Sequence, residues 1–136
     1  MKNIIRLLWE YRTLKYVPRA SLQFLKGSAK ENVAEHSFYT TIIGWVLAKR
    51  EKVDENKVIR MCLVHDLAEA RRGERNLINK IYSGKDNELE IIKKVSGEYQ
   101  VEDFSFDDLF KEFSEGETPE SKIAQDADIL AGMLLE

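Results

Sequence analysis

Apolar residues recur along this chain at intervals of three and four, the period of an α-helix, and β-type alternation is nearly absent. Ile4, Leu7, Leu8, Tyr11 and Leu14 mark a first helix over about residues 3–15, which Pro18 ends by fixing φ and removing a backbone donor. A loop carrying Arg19, Gly27 and Lys30 follows. The second helix runs from about Asn32 to Lys49 and turns Val33, His36, Ile43 and Leu47 inward. Asp54 offers an N-cap acceptor for a third helix reaching about Ala70. Val58, Met61, Cys62, Leu63, Val64 and Leu67 make that helix apolar on several faces, as expected of a central one. Short helices follow near Leu77–Tyr82 and Asn87–Val95, the second closed by Gly97. Ser105-x-x-Asp108 resembles a capping box and predicts another. Thr118-Pro119, a cap followed by proline at the first helical position, starts a last helix running to the terminus. The pattern is all-α.

Composition narrows the class. A length of 136 residues suits one ordinary domain rather than two independent cores. Hydrophobic residues at 43% and charged residues at 33% give a globular balance. No apolar run approaches the roughly 20 residues of a bilayer span. The opening MKNIIRLLWEYR interleaves charges with apolar residues, unlike a secretory signal, and reads as a helix of the mature protein. No membrane partner is expected. The net charge is −3, with no basic track interleaved with aromatics, which argues against a nucleic-acid polymer, whose counterions must be displaced. A small phosphorylated ligand needs only a local cationic pocket. Cys62 is the single cysteine, so no internal disulfide forms and a reducing, cytoplasmic setting is the default.

Both histidines, His36 and His65, fall in predicted helices among apolar neighbours. Burying a titratable ring costs free energy unless it finds a partner. Val64 and Leu67 flank His65-Asp66, and a carboxylate buried there needs a proton, an ion pair or a cation. On a continuous helix His65 and Glu69 share a face, with Asp66 about 100° around from His65. One helix then offers a nitrogen ligand, an oxygen ligand and a nearby carboxylate. On the last helix Asp126 and Asp128 flank the stripe of Ile123, Ala127, Leu130, Ala131 and Leu134 about equally, and helical pattern alone does not choose between them. Tyr39, Trp45, Phe24 and Trp9 stand at helical spacing, which more often means core than base stacking. Cys62 reads as a small buried residue with no spare histidine to serve as its base.

Three segments carry a resemblance. Glu31-Asn32-Val33-Ala34-Glu35-His36-Ser37 resembles the ENVAEHS motif of HD-domain proteins near the bacterial 5′-deoxynucleotidases. Val64-His65-Asp66-Leu67-Ala68-Glu69-Ala70 matches their HDxxE motif, and Asp126-Ala127-Asp128-Ile129-Leu130 matches the A-D-x-L of their C-terminal metal aspartate. The order is the family's, over roughly Leu14 to Glu136. The resemblance implies a single-domain HD-type helical bundle over residues 1–136, without the C-terminal helices of longer relatives. It also implies one divalent metal held by His36, His65, Asp66 and Asp128. Two imidazoles and two carboxylates suit Mn²⁺, Co²⁺, Fe²⁺, Ni²⁺ or Zn²⁺ better than Ca²⁺.

By the same likeness Glu69 is the acid/base carboxylate. Glu74, following Gly73 where the family has Gly-Asp, is a second active-site carboxylate facing the sugar. Arg19 stands where the family places an arginine near the substrate phosphate, and Lys30 is a candidate second positive charge. Ala20 follows Arg19 where the deoxynucleotidases carry tryptophan, a change in the substrate-selecting part. The expected activity is hydrolysis of a (deoxy)nucleoside 5′-monophosphate to nucleoside and phosphate. The alternatives are another small phosphoester, such as a guanosine polyphosphate alarmone, and a nucleotide-binding module without turnover. The resemblance also admits a homodimer.

Overall fold

The computed structural model describes residues 1–20, 31–84 and 87–133. The helices among them are α1 (Lys2–Arg12), α2 (Val33–Glu51), α3 (Glu55–Val64), α4 (Glu69–Arg72), α5 (Leu77–Tyr82), α6 (Glu88–Tyr99), α7 (Asp107–Glu115) and α8 (Pro119–Met133). The β-type pairing among the described residues is an isolated antiparallel bridge between Pro18 and Asn32. None of these helices is long and apolar enough to cross a membrane. The all-α expectation holds.

Two compact units divide the chain. The first comprises Met1–Ala34 and Leu67–Ser105. Here α1 lies on α6, with Leu7, Val95 and Val101 buried between them and Ile4, Tyr11, Ile91 and Tyr99 packed around. A 3-10 turn over Thr13–Tyr16 ends α1 ahead of Pro18. Beyond it Arg19 N–H donates to Glu31 O and Val33 N–H to Val17 O, which ties the start of α2 to this segment. Contrary to expectation, Gly97 does not close α6. The helix runs on to Tyr99, the cap residue Gln100 turns the chain with a φ of 53°, and Val101 N–H donates to Ser96 O. Buried Val101 anchors that turn, so an apolar contact sets the stop rather than the glycine.

The second unit comprises Glu35–Asp66 and Phe106–Glu136. Its core is Ala48, Val58, Met61, Cys62, Ala124 and Ala127, ringed by Ile43, Leu47, Val53, Leu109, Phe113 and Ile123. Asp54 caps α3 by accepting from Lys57 N–H at 3.0 Å. Thr118 Oγ1 accepts from Ser121 N–H at 3.1 Å and caps α8 ahead of Pro119. The helix α7 begins at Asp107, with Asp107 and Asp108 placed to interact with its positive end, and Phe106 occupies the cap.

The expected third helix is broken. α3 ends at Val64, and residues 65–68 form turns before α4. His65 Nδ1–H donates to Cys62 O at 2.7 Å, the acceptor that Asp66 N–H would use in a continued α-helix. Ala70 N–H then bonds to Leu67 O, three residues back, so the ladder tightens.

Gly44 sets the approach of α2. A Cβ there would stand 2.7 Å from Cys62 Sγ, 3.1 Å from Val58 Cγ1 and 3.5 Å from the Ala127 Cβ. Alanine at this position gains up to about 1 kcal/mol of helix propensity, but crowding a filled core costs about 1–3 kcal/mol. Gly44→Ala should therefore lower the melting temperature. Adding Cys62→Ala should restore part of it, so that the double variant loses less than the two singles combined. Thermal denaturation of the four proteins checks this, and an unchanged or raised melting temperature for Gly44→Ala would contradict it.

Candidate metal centre

Three elements of the second unit deliver four ligand-bearing residues. His36 lies one turn into α2, His65 and Asp66 directly follow α3, and Asp128 is in the middle of α8. Both histidines are buried. His36 Nε2 is 2.8 Å from Asp128 Oδ1 and 3.9 Å from Asp66 Oδ2. His65 Nε2 is 3.1 Å from Asp66 Oδ2 and 3.5 Å from Asp128 Oδ1. One ligand atom each from His36, His65 and Asp66 fits within a mutual distance of 4.8 Å. Atoms bound to one cation at about 2.1 Å stand about 3 Å apart on adjacent octahedral corners and about 3.4 Å apart in a tetrahedron. The observed separations bracket those values.

The tautomer of His65 is fixed by its neighbour. A carbonyl oxygen only accepts, so the bond to Cys62 O places the proton on Nδ1 and leaves the Nε2 lone pair of the neutral ring facing two carboxylates. Nε2 approaches Asp66 Oδ2 without the alignment of a hydrogen bond and has no other hydrogen-bond partner. A lone pair and an anionic oxygen that close repel unless a positive charge lies between them. The residues fit a divalent cation. Sequence reasoning missed two supports: Thr40, whose buried Oγ1 is 3.3 Å from His36 Nε2, and Phe113, whose ring centroid lies 5.3 Å from that of His65. The i+4 spacing of Thr40 from His36 was the available signal for the first. Nothing local in the sequence links Phe113 to His65.

The carboxylates beside His65 also favour a proton on its ring. Burial opposes a charged His65, but Asp66 and Asp128 outweigh it and hold the ring well above its ordinary 6.5. Burial likewise works against both carboxylates. The neighbouring histidines prevail, holding Asp66 and Asp128 below the ordinary 3.8. Cys62, beside this group, is a buried thiol pushed up to about 11 by desolvation, which removes it as a nucleophile.

The other candidates lie in the first unit. Arg19 Nη1 pairs with Glu74 Oε1 at 2.6 Å, and its Nε stands 3.6 Å from Glu31 Oε2. Ala20 N–H donates to the second oxygen of Glu74, so Glu74 clasps both the Arg19 side chain and the next backbone amide. Glu31 was not singled out from the sequence, although it opens the motif containing His36. Glu69 is buried rather than an exposed helix glutamate, with Arg72 Nη2 3.5 Å from its Oε1, and Arg72 also pairs with Glu88. Arg71 is held by Glu10 and Glu98. Lys30 and Phe24 lie outside the described residues. Asp126 lines an apolar groove with Leu47, Val53, Ile123 and Ile129, while Asp128 meets the histidines. Trp9, Tyr39 and Trp45, expected in the core, are exposed.

The shifts give a test with opposite signs. A raised histidine stabilises the ion-free fold fully below about pH 6.5, and that contribution fades as pH climbs through its raised value. The lowered carboxylates contribute above about pH 3.8 and cease to as pH falls through their lowered values. With a chelator present, melting temperature should therefore fall from neutral towards alkaline pH. A divalent cation competes with the His65 proton, so with Mn²⁺ present the same interval should raise it. His65→Ala should abolish the difference and lose bound metal by elemental analysis. Parallel pH slopes with and without Mn²⁺ would rule out the shared site.

Comparison with known proteins gives the family. Residues 11–136 match the HD-domain family. The 5′-deoxynucleotidase HDDC2 of Dictyostelium discoideum is 32% identical over 111 residues, covering 72% of this chain and 57% of that protein, so the chain spans little more than half of that relative. A solved protein from Pyrococcus horikoshii OT3 superposes with a TM-score of 0.84 at 34% identity, covering 96% of this chain and 75% of that one. A predicted metal-dependent phosphohydrolase from Magnetospirillum magnetotacticum MS-1 gives a TM-score of 0.75 at 26% identity, covering 98% and 70%. With the family's match running through all four residues of the cluster, this chain belongs to the HD-domain family.

Proposed function

We propose that this protein is a metal-dependent phosphohydrolase acting on (deoxy)nucleoside 5′-monophosphates. The observation that carries the proposal is the convergence of His36, His65, Asp66 and Asp128 at cation-sharing distances. The name of the Dictyostelium relative supports the substrate class.

His36, His65, Asp66 and Asp128 would hold the ion. A divalent cation held there polarises a phosphoryl oxygen and lowers the pKa of water. Glu69 supplies acid/base assistance, taking a proton from attacking water or giving one to the departing nucleoside oxygen. Arg72 orients its carboxylate. Such assistance is worth about 10²–10⁴-fold in rate. Arg19 offers a planar fork to phosphate oxygens, held in place by Glu74 and Glu31. Lys30 is a candidate second charge from the sequence alone. Glu74 acts through that hold on Arg19.

Purified protein with Mn²⁺ or Co²⁺ should release phosphate from a panel of nucleoside 5′-monophosphates. Glu69→Gln should keep its metal and lose about 10²–10⁴-fold in kcat. Arg19→Lys, which keeps the charge but not the fork, should raise KM more than it lowers kcat. Phosphate assay with metal content measured in parallel checks both. A guanosine tetraphosphate arm separates the alarmone reading. No release from any phosphoester at full metal occupancy, with Glu69→Gln and the parent protein binding nucleotide equally, would leave a binding module instead.

A further inference from the structure

The helix α4 carries Glu69, yet little in it can be seated by hydrophobic packing. Its residues are Glu69-Ala70-Arg71-Arg72. A single turn does not hold its shape alone in water, because helix nucleation is costly. It lies beside the 3-10 turn over Thr13–Tyr16, but alanine is its one apolar residue. Among the described residues, the side-chain links from α4 to its neighbouring helices are charged, and Arg71 reaches two helices at once. Its Nε–H donates to Glu10 Oε1 at 2.5 Å and its Nη2–H to Glu10 Oε2 at 3.0 Å, which engages both oxygens of one carboxylate on α1. Nη1 stands 2.8 Å from Glu98 Oε2 on α6.

Such a link is a fixed support rather than a loose surface pair. Exposed ion pairs contribute little unless an arginine fork meets a carboxylate squarely or several charges form a network. Here both conditions hold, because Tyr99 O–H also donates to Glu10 Oε2, at 2.6 Å. Burial works against the Glu10 carboxylate, but the bonds from Arg71 and Tyr99 prevail and hold it below its ordinary 4.5, so the support stays charged at neutral pH. The contact of α1 with α6 does not depend on these bonds, since Leu7, Val95 and Val101 are buried between the two helices. The element that depends on them is α4. We propose, on the reading of Glu69 as the acid/base group, that Arg71 is a positioning residue: its grip on Glu10 and Glu98 seats α4 and so fixes where the Glu69 carboxylate stands.

The backbone carries the effect from one side chain to the other. Glu69 and Arg71 share a turn that Gly73 N–H closes by donating to Glu69 O at 2.8 Å. Arg72, the next residue, stands with Nη2 3.5 Å from Glu69 Oε1 and also pairs with Glu88 on α6, so the same turn orients the carboxylate it carries. A misplacement of about 1 Å at a reacting group costs about 10²-fold in rate. Phosphate capture is the work of Arg19, so loss of the Arg71 grip falls on kcat rather than on KM.

In nucleoside 5′-monophosphate hydrolysis, Arg71→Ala should lower kcat by up to about 10²-fold with KM and bound Mn²⁺ unchanged. Glu10→Gln, which keeps the side chain's shape and removes the charge from a different helix, should lower kcat in the same sense and carries the test if Arg71→Ala does not fold. The Glu69→Gln background separates positioning from general damage. In it, Arg71→Ala should cost no further activity, because the carboxylate that Arg71 places is already gone. Added guanidinium ion should restore part of kcat to Arg71→Ala and none to Glu69→Gln. A parent protein that releases no phosphate at full metal occupancy would remove the acid/base reading and this role with it. An active parent whose Arg71→Ala and Glu10→Gln variants keep their kcat, or a further loss from Arg71→Ala in the Glu69→Gln background, would overturn the positioning role alone.

Discussion

Two imidazoles and two carboxylates meet in a largely buried volume, and their mutual charge is the constraint from which the second unit follows. Without a positive charge among them, the His65 Nε2 lone pair and the oxygens of Asp66 and Asp128 repel in a medium that screens poorly. A proton or a metal ion reconciles them, and the two compete for the same place. α2, α3 and α8 touch through Gly44, Cys62 and Ala127, residues small enough to bring the backbones close. Three residues beyond Cys62 lies His65, one beyond Ala127 lies Asp128, and two turns before Gly44 lies His36. The tight packing at the small residues thus sets the distances at the ligands.

That arrangement explains the unusual faces of α2. A helix that brings a histidine, a threonine hydroxyl and a glycine to the interior has few inward positions left for large apolar side chains. Its bulky residues Phe38, Tyr39, Trp45 and Val46 lie outside.

The first unit handles charge differently. Arg19, Arg71 and Arg72 are each held by two glutamates, so these three cations are oriented by ion pairs. A guanidinium fixed in this way gives up some net positive charge and gains a defined direction. For recognition of a planar or tetrahedral anion, direction is the scarcer property.

The sequence by itself determined the helical class, the caps at Asp54 and Thr118, the burial of both histidines and of Cys62, and the three motif segments. These are properties of local period and residue chemistry, which act over one or two turns. The choice of Asp128 over Asp126 beside the histidines, the break of the third helix after Val64, and the anchoring of the α6 terminus by Val101 were decided by tertiary structure. So were the clasp of Arg19 by Glu31 and Glu74 and the exposure of Trp9, Tyr39 and Trp45. Each depends on which surface meets which, or on a carbonyl claimed by a side chain. Helical periodicity says which residues share a face, but only packing says whether that face is covered.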